Sequence, residues 1–353
     1  MTAERASALA ELERRAERAL ARRAAFGRGE IIFWALVAAV VLALPSRYLL
    51  LNDIAILALF ALSLDLILGY AGIVSLGHAA FFGVGAYAAG LLATHGVADL
   101  TFGLAAAGAI AAVIGFVTSF LVLRGSDLTR LMVTLGVALV LGEIANQTPS
   151  VTGGADGLQG IPPGRVLGLF DFDIFGRTAC LYSLSVLCIA FLAARSIVNS
   201  PFGLSLRSIR DNPLRAAAIG IPVSRRLIAI YTVAAALAGI AGGLLAQTTQ
   251  FVSLEVFAFN RSADVLLVLI IGGTGYLYGG LIGAAVFRVL QDLFATITPE
   301  HWQFFMGLVL VALVLAGRER LGRAAERGLD ALTGRLGQGS DRAGGTGSAG
   351  AGA

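Results

Sequence analysis

The chain has 353 residues, of which 57% are hydrophobic and only 14% are charged. Soluble domains usually carry about 25% charged residues, so this composition, with a mean hydropathy of +0.84, excludes a soluble enzyme, a disordered protein and a small disulfide-stapled module. All 26 basic residues are arginine, which excludes a P-loop and a Schiff-base enzyme because both need lysine. We therefore expect an integral membrane protein that binds no cofactor itself.

Residues 1–29 differ in composition from the rest of the chain. They contain seven arginines and four glutamates, and Leu9, Leu12, Ala16 and Leu20 recur among them at helical spacing. A basic polar face is attracted to anionic lipid, while a thin apolar stripe enters the headgroup layer. The pattern predicts an amphipathic helix on the cytoplasmic membrane surface, and its long charged part differs from a signal peptide.

Nine apolar stretches follow, separated by short breaks. A helix needs about 20 residues to cross a hydrocarbon layer of roughly 30 Å, and most of the stretches have about that length. The eighth, residues 263–294, is 32 residues long and is interrupted by Gly272, Gly273 and Gly275, so we expect two shorter segments there and about ten in all. The nine stretches are 31–50, 54–70, 73–94, 104–123, 128–146, 180–198, 227–247, 263–294 and 302–316.

The placement of arginine gives the orientation, because short cytoplasmic loops carry an excess of positive charge. The loop of residues 199–226 contains five arginines and one acidic residue, so it is predicted to be cytoplasmic. Ten membrane segments then place both the N-terminus and the C-terminus in the cytoplasm. The predicted fold is an all-α, polytopic transmembrane helix bundle of about 8–10 membrane segments, with a membrane domain over residues 30–317 and a largely disordered cytoplasmic tail over residues 318–353.

Rows of small residues four apart predict close packing, since they let two membrane helices approach each other. One row consists of Ala235, Gly239 and Gly243, and another, expected on a single helical face, consists of Gly275, Gly279 and Gly283.

Ionisable side chains inside a membrane segment are costly and therefore informative. Arg288 and Asp292 are one helical turn apart and can pair, and Glu143 and Asp264 lie near the outer boundary. A structural role covers these four residues, which leaves Asp65 and His78 as candidate functional groups. The ionisable residues in the interior of the stretches are Asp65, His78, Glu143, Asp264, Arg288 and Asp292.

Two segments are patterned beyond what hydropathy requires. In residues 69–87 the glycines allow tight turns and close approach, while Ser75 and His78 supply hydrogen-bonding groups. The second segment, residues 200–224, predicts a short polar helix, an Asn-Pro break and a second short helix closed by Gly220. Such a cytoplasmic loop is a docking surface.

At these residues the sequence resembles the permease subunits of branched-chain amino acid ABC importers of the LIV type, and among them the longer of the two paired permeases. Residues 69–87 are similar to that family's signature, and residues 203–221 are similar to its ATPase-coupling loop. Residues 152–158 resemble its external loop, and residues 272–284 resemble its later glycine-rich segment. The likeness covers residues 52–314.

The resemblance implies an importer in which this chain pairs with a second, similar permease in the bacterial inner membrane. It implies two ATPase subunits that bind ATP and Mg²⁺ and dock on the coupling loop, and an extracytoplasmic binding protein that delivers leucine, isoleucine or valine; it implies no enzymatic role and no nucleic acid. Many relatives have an acidic residue near Ala217, which this sequence lacks, so no specific salt bridge to the ATPase is expected there. The residues assigned to coupling are Gly203, Arg207, Arg210, Asp211, Arg215, Ala217 and Gly220, and those assigned to the transport pathway are Asp65, Gly72, Ser75, Gly77 and His78.

Three alternatives stay open. A permease for urea, amides or another small polar solute fits the same features, because the binding protein selects the solute. An ion-coupled secondary transporter should show internal repeats and ion ligands on broken helices, and no clear repeat is evident. A membrane-embedded enzyme would need a nucleophile, a base and an orienting group in one place, and no His or Cys cluster has the spacing of a metal site.

Overall fold

The computed structural model describes residues 28–96, 99–162, 164, 173 and 176–316. Apart from Arg28 and Gly29, the predicted amphipathic helix lies outside these residues, as does the predicted tail. The described residues form thirteen α-helices and no β-strand, which confirms the all-α fold. The helices are α1 (Arg28–Ala43), α2 (Tyr48–Asp65), α3 (Ala79–Thr94), α4 (Leu100–Val122), α5 (Asp127–Asn146), α6 (Pro149–Thr152), α7 (Arg177–Val198), α8 (Pro201–Asp211), α9 (Pro213–Ala218), α10 (Val223–Thr249), α11 (Phe259–Gly272), α12 (Leu277–Ile297) and α13 (Trp302–Ala316).

Ten of the described helices correspond to the ten expected membrane segments, and α6, α8 and α9 are short helices between them. Six helices in the described part of the chain are long and apolar enough to cross a membrane. The stretch 263–294 is divided between α11 and α12, as the sequence predicts. In the turn between these two helices, Gly273 and Gly275 have φ values of 95° and 79°. Residues with a Cβ atom rarely adopt such values.

The prediction of a continuous helical stretch over residues 73–94 is wrong. The helix α2 continues as a π-helical turn, Leu66–Tyr70, and α3 begins only at Ala79. The backbone between them is irregular, with Gly72 at a φ of 74°. Hydropathy reports burial and not helicity, and irregular backbone is tolerated at membrane depth where protein covers it.

The expectation that Gly275, Gly279 and Gly283 share one helical face is wrong for Gly275. The helix α12 begins at Leu277, so Gly275 lies in the preceding turn. Gly279 and Gly283 do lie on α12, where a Cβ atom on either would overlap the backbone of the α11 segment. These two glycines therefore let α11 and α12 approach as a close antiparallel pair.

The core of the bundle is built around α10, which packs against α3 and α4, while α2 packs against α7 and α10. A Cβ atom at Gly85 of α3 would overlap the backbone of Gly239 on α10, and one at Gly239 would overlap Ala107 and Ala111 of α4. A Cβ atom at Gly243 would lie 3.0 Å from the Ala107 side chain of α4. The small-residue row on α10 thus lies where three helices are closest.

The chain divides into two compact units, Met1–Val289 and Leu290–Ala353. The first unit contains most of the described helices. In the second, the ring of Phe305 lies 5.8 Å from that of Phe294 and 5.6 Å from that of Phe304, measured between ring centroids.

Candidate functional site

Two breaks in the membrane helices, about 200 residues apart in sequence, meet at one place. The carboxylate of Asp65, which is fully buried at the end of α2, accepts a hydrogen bond from the backbone N–H of Gly275 at 2.7 Å. A Cβ atom at Gly69 would overlap both the Asp65 carboxylate and the Gly275 backbone. Glycine at position 69 is therefore required for the turn after α11 to reach the π-helical turn after α2.

The loop of residues 199–226, predicted to be cytoplasmic, folds as the sequence predicts, into two short helices separated by a break. Ser200 caps the start of α8 by accepting a hydrogen bond from the Gly203 N–H at 3.4 Å. Asn212 caps α9 in the same way, accepting from the Arg215 N–H at 2.9 Å. Gly220, at a φ of 90°, ends the pair, because this left-handed conformation is costly for any residue with a Cβ atom.

One face of α8 is buried against the membrane bundle and carries Leu206 and Ile209, which are 0% and 3% exposed. Gly203 lies on the same face, and a Cβ atom there would overlap the carbonyl of Val198. Amphipathic packing of this kind fixes a short helix rigidly to its neighbours. The helix α8 is therefore held against the bundle by close packing.

Arginine side chains join α8 to the glycine break after α2. The guanidinium group of Arg210 donates a hydrogen bond to the carbonyl oxygen of Gly69, and that of Arg207 lies 5.3 Å from the centre of the Tyr70 ring, within cation–π range. A Cβ atom at Gly72 would lie 2.8 Å from Arg210 Cγ, and one at Gly275 would lie 3.3 Å from its Nη1 atom. Arg210 thus touches both helix breaks.

The remaining residues assigned to coupling are on the outside of the loop. Asp211 is 3.7 Å from Arg210 Nε and its side chain is 73% exposed, and Arg215, Ala217 and Gly220 are exposed. Sequence reasoning missed two further residues beside them. Leu214 and Ile219 are 83% and 70% exposed, and the available signal was two large apolar side chains in a loop that is otherwise rich in arginine.

Three of the residues assigned to the pathway, Ser75, Gly77 and His78, are packed in the core. His78 is fully buried, its Nε2 atom lies 2.8 Å from Ser63 Oγ, and its ring stacks on that of Phe60 at 5.5 Å. Ser75 is 1% exposed, and Gly77 has no room for a Cβ atom beside the Thr134 carbonyl.

The structure therefore divides the predicted residues into two groups. Asp65, Gly72, Arg207 and Arg210, which were assigned separately to pathway and coupling, come together with the Gly275 turn at one end of α2. Ser75, Gly77 and His78 pack elsewhere, near the start of α3. There the backbone N–H of Ala79 donates a hydrogen bond to Ser262 Oγ at 3.0 Å. This bond joins the N-terminal end of α3 to that of α11.

A bundle of apolar helices, six of which in the described part of the chain are long enough to cross a membrane, defines a multi-pass membrane protein. The model of the family described as "Branched-chain amino acid transport system / permease component" matches residues 46–314. The chain belongs to this family. It is a permease subunit of an ABC transporter and not an enzyme, and it is a multi-pass protein of the inner membrane.

Three curated relatives are named as branched-chain amino acid transport permeases. The high-affinity branched-chain amino acid transport system permease protein LivM of Escherichia coli is 27% identical over 307 residues, which are 79% of this chain and 72% of that protein. LivM of Salmonella typhimurium is 26% identical over 72% of this chain and 65% of its own length. The probable permease LivH of Methanocaldococcus jannaschii is 25% identical over 52% of this chain and 59% of its own length. No solved structure matches the chain significantly.

Proposed function

We propose that this chain is the longer of two paired permeases in an importer that moves leucine, isoleucine and valine into the cell. The names of the LivM relatives support the substrate class, and the likeness to LivH proteins supports pairing with a second, homologous permease. Two ATPase subunits carry ATP and Mg²⁺ on the cytoplasmic side. An extracytoplasmic binding protein delivers the amino acid on the other side.

The observation that carries this proposal is the bond from Arg210 of α8 to the Gly69 carbonyl. The ATPases dock on residues 203–221, where the exposed Leu214 and Ile219 supply apolar contact area. Rigid-body movement of the ATPases then displaces α8. Because Arg210 touches both helix breaks, movement of α8 acts directly on the Gly69 and Gly275 turns. No regular membrane helix has to bend first.

The pathway is proposed to pass the irregular segment between α2 and α3, with Asp65 and Gly72 at its cytoplasmic end and Ser75, Gly77 and His78 further in. An irregular segment rearranges more easily than a helix, because fewer backbone hydrogen bonds must break when it moves. Ser75 and His78 are buried, so transport along this path would require the segment to rearrange.

The proposal is tested by co-expressing the chain with a second permease, two ATPases and a binding protein from the same genome, and by reconstituting the purified complex in liposomes. We expect uptake of labelled leucine that requires ATP and the binding protein. Uptake by the chain alone, without ATP, would show a secondary transporter instead. Uptake of urea or an amide in place of leucine would retain the importer and replace the substrate.

A further inference from the structure

An open groove of about 720 Å³ lies between α4 and α7. Along α7 its lining runs from Arg177, the first residue of the helix, to Ile189, and on α4 it includes Thr101 and Leu104. The helix α8 follows the other end of α7. This groove, which we call the α4–α7 groove, is therefore distinct from the α8 contacts described above.

Buried hydrogen bonds hold the floor of the α4–α7 groove. Tyr182 lines the groove and is only 7% exposed, and its hydroxyl donates to Gln247 Oε1 of α10 at 3.1 Å. The side-chain amide of Gln247 in turn donates to the carbonyl of Leu100, at the start of α4, at 2.8 Å. The helix α10 thus joins α7 to α4 beneath the groove. Because these polar groups are satisfied within the protein, a ligand in the groove meets an apolar floor.

The walls of the groove belong to a continuous apolar surface. Leu181 and Ile189 of α7 are 47% and 68% exposed, and exposed apolar side chains continue along α4 past the groove, at Ile110 and Val113. In a membrane bundle such a surface is covered by lipid chains or by another membrane helix, both of which are apolar.

The length of the groove favours a lipid chain as its occupant. From Arg177 to Ile189 the lining extends for about 18 Å at 1.5 Å per residue, whereas the whole hydrocarbon layer is roughly 30 Å thick. A partner helix that crosses the membrane needs a groove along the full layer. The α4–α7 groove has about the depth of one leaflet, which is the depth that an acyl chain occupies.

Charged side chains are placed at one end of the groove, where a headgroup would lie. Arg177 begins α7, and Asp173 lies in the turn before it, where its carbonyl accepts from the Gly176 N–H at 2.9 Å. Both side chains line the groove and are exposed, and within the described part of the chain neither one forms an ion pair. Asp99, which accepts from the Thr101 N–H at 3.0 Å, adds a second carboxylate beside this end.

We propose that the α4–α7 groove binds one molecule of phosphatidylethanolamine, with an acyl chain between the two helices. The guanidinium group of Arg177 receives the phosphate, for which its planar fork is suited, and the carboxylate of Asp173 receives the ammonium group. The headgroup has no net charge, so the carboxylates of Asp99 and Asp173 do not repel it as they repel the anionic phosphatidylglycerol. This inference does not depend on the proposed function.

Lipid titration of the full wild-type chain tests the proposal without any substitution. The purified, delipidated protein is titrated in detergent with palmitoyl-oleoyl phosphatidylethanolamine or with palmitoyl-oleoyl phosphatidylglycerol, and the bound lipid is counted by native mass spectrometry. One phosphatidylethanolamine should bind about tenfold more tightly than phosphatidylglycerol, the difference expected for one additional charged hydrogen bond. Equal affinity for the two lipids would overturn the proposal.

Two substitutions separate the headgroup contacts. Arg177→Gln should weaken the binding of both lipids by about tenfold, because both carry the phosphate, whereas Asp173→Asn should weaken only phosphatidylethanolamine and so remove the preference. A merely structural role of Asp173 would weaken both lipids equally, which would contradict the proposal. The control is Arg124→Gln, which makes the same change at an exposed arginine just after the other end of α4 and should leave both affinities unchanged.

Filling the groove tests the position of the acyl chain. Val186 lines the groove, so Val186→Trp should abolish the tightly bound lipid. Its matched control is Ala193→Trp, which adds the same side chain at an exposed position of α7 outside the groove and should keep the lipid. Unchanged affinity in Val186→Trp would overturn the proposal. If Val186→Trp instead prevents a second permease from co-purifying and leaves lipid binding intact, the groove is a protein contact and the proposal is wrong.

Discussion

Arg210→Ala tests whether α8 drives the helix breaks through a single side chain. In the structure the Arg210 guanidinium bonds to the Gly69 carbonyl and lies against the Gly72 and Gly275 turns. The substitution removes the bond and leaves α8 packed by Leu206 and Ile209, both of which are buried. Docking of the ATPases should therefore persist, while the transmission of their motion should weaken.

The magnitude follows from the bond and its exposure. A hydrogen bond to a charged group contributes about 1.5–3 kcal/mol, and solvent lowers this value for an exposed pair. Because the Arg210 side chain is 43% exposed, we take about 1–2 kcal/mol, which corresponds to a factor of about 5–30 in an equilibrium. Leucine taken up per ATP hydrolysed should fall by that factor.

The assay compares uptake and ATP hydrolysis in the same proteoliposomes. The matched control is Arg225→Ala, which removes an exposed arginine in the first turn of α10 and should change either rate by no more than about twofold, as surface substitutions usually do. The reasoning is refuted if Arg210→Ala keeps the wild-type ratio of uptake to hydrolysis. It is also refuted if both variants lower that ratio equally.

Three further variants extend the account. Gly69→Ala forces a methyl group against the Asp65 carboxylate and the Gly275 backbone. Overpacking of this kind costs about 1–3 kcal/mol, so the melting temperature of the detergent-purified protein should fall by several degrees. The control Gly136→Ala places its methyl group where no atom lies within 4 Å, so it should not lower the melting temperature. Gly220→Trp should uncouple hydrolysis from uptake while membrane insertion stays intact, since the backbone there has a φ of 90°; normal uptake would remove the case for this loop. Leu214→Ser combined with Ile219→Ser should reduce the amount of ATPase that co-purifies, and unchanged recovery would show that these exposed side chains are not docking contacts.

The number and order of the helices were predictable because hydropathy and glycine interruptions act locally. The division of residues 263–294 into two segments followed from three glycines and from the need to keep the arginine-rich end inside. The irregular backbone before α3 was not assigned from hydropathy, because Ile73, Val74 and Leu76 keep this segment apolar; its glycines allowed turns but did not show where α3 begins. The turn position of Gly275 was missed for a similar reason, since a small-residue row does not show where a helix begins.

The coupling loop was predictable from its caps, but the partners of its side chains were not. Arg210 and Gly69 are 141 residues apart, and Arg288 and Asp53 are 235 residues apart. The one-turn spacing predicts a contact between Arg288 and Asp292, but it cannot predict that Arg288 also pairs with Asp53. Only the packing of α2 against the later helices shows which distant groups meet.

The most direct test of the central claim is the side of the membrane on which α8 lies. Ser208 is exposed on α8, so Ser208→Cys in the Cys180→Ser, Cys188→Ser background offers one thiol to a membrane-impermeant reagent. We predict labelling in inside-out vesicles, protection by bound ATPase subunits, and no labelling in intact cells. Labelling of Ser208→Cys from outside intact cells would contradict the account.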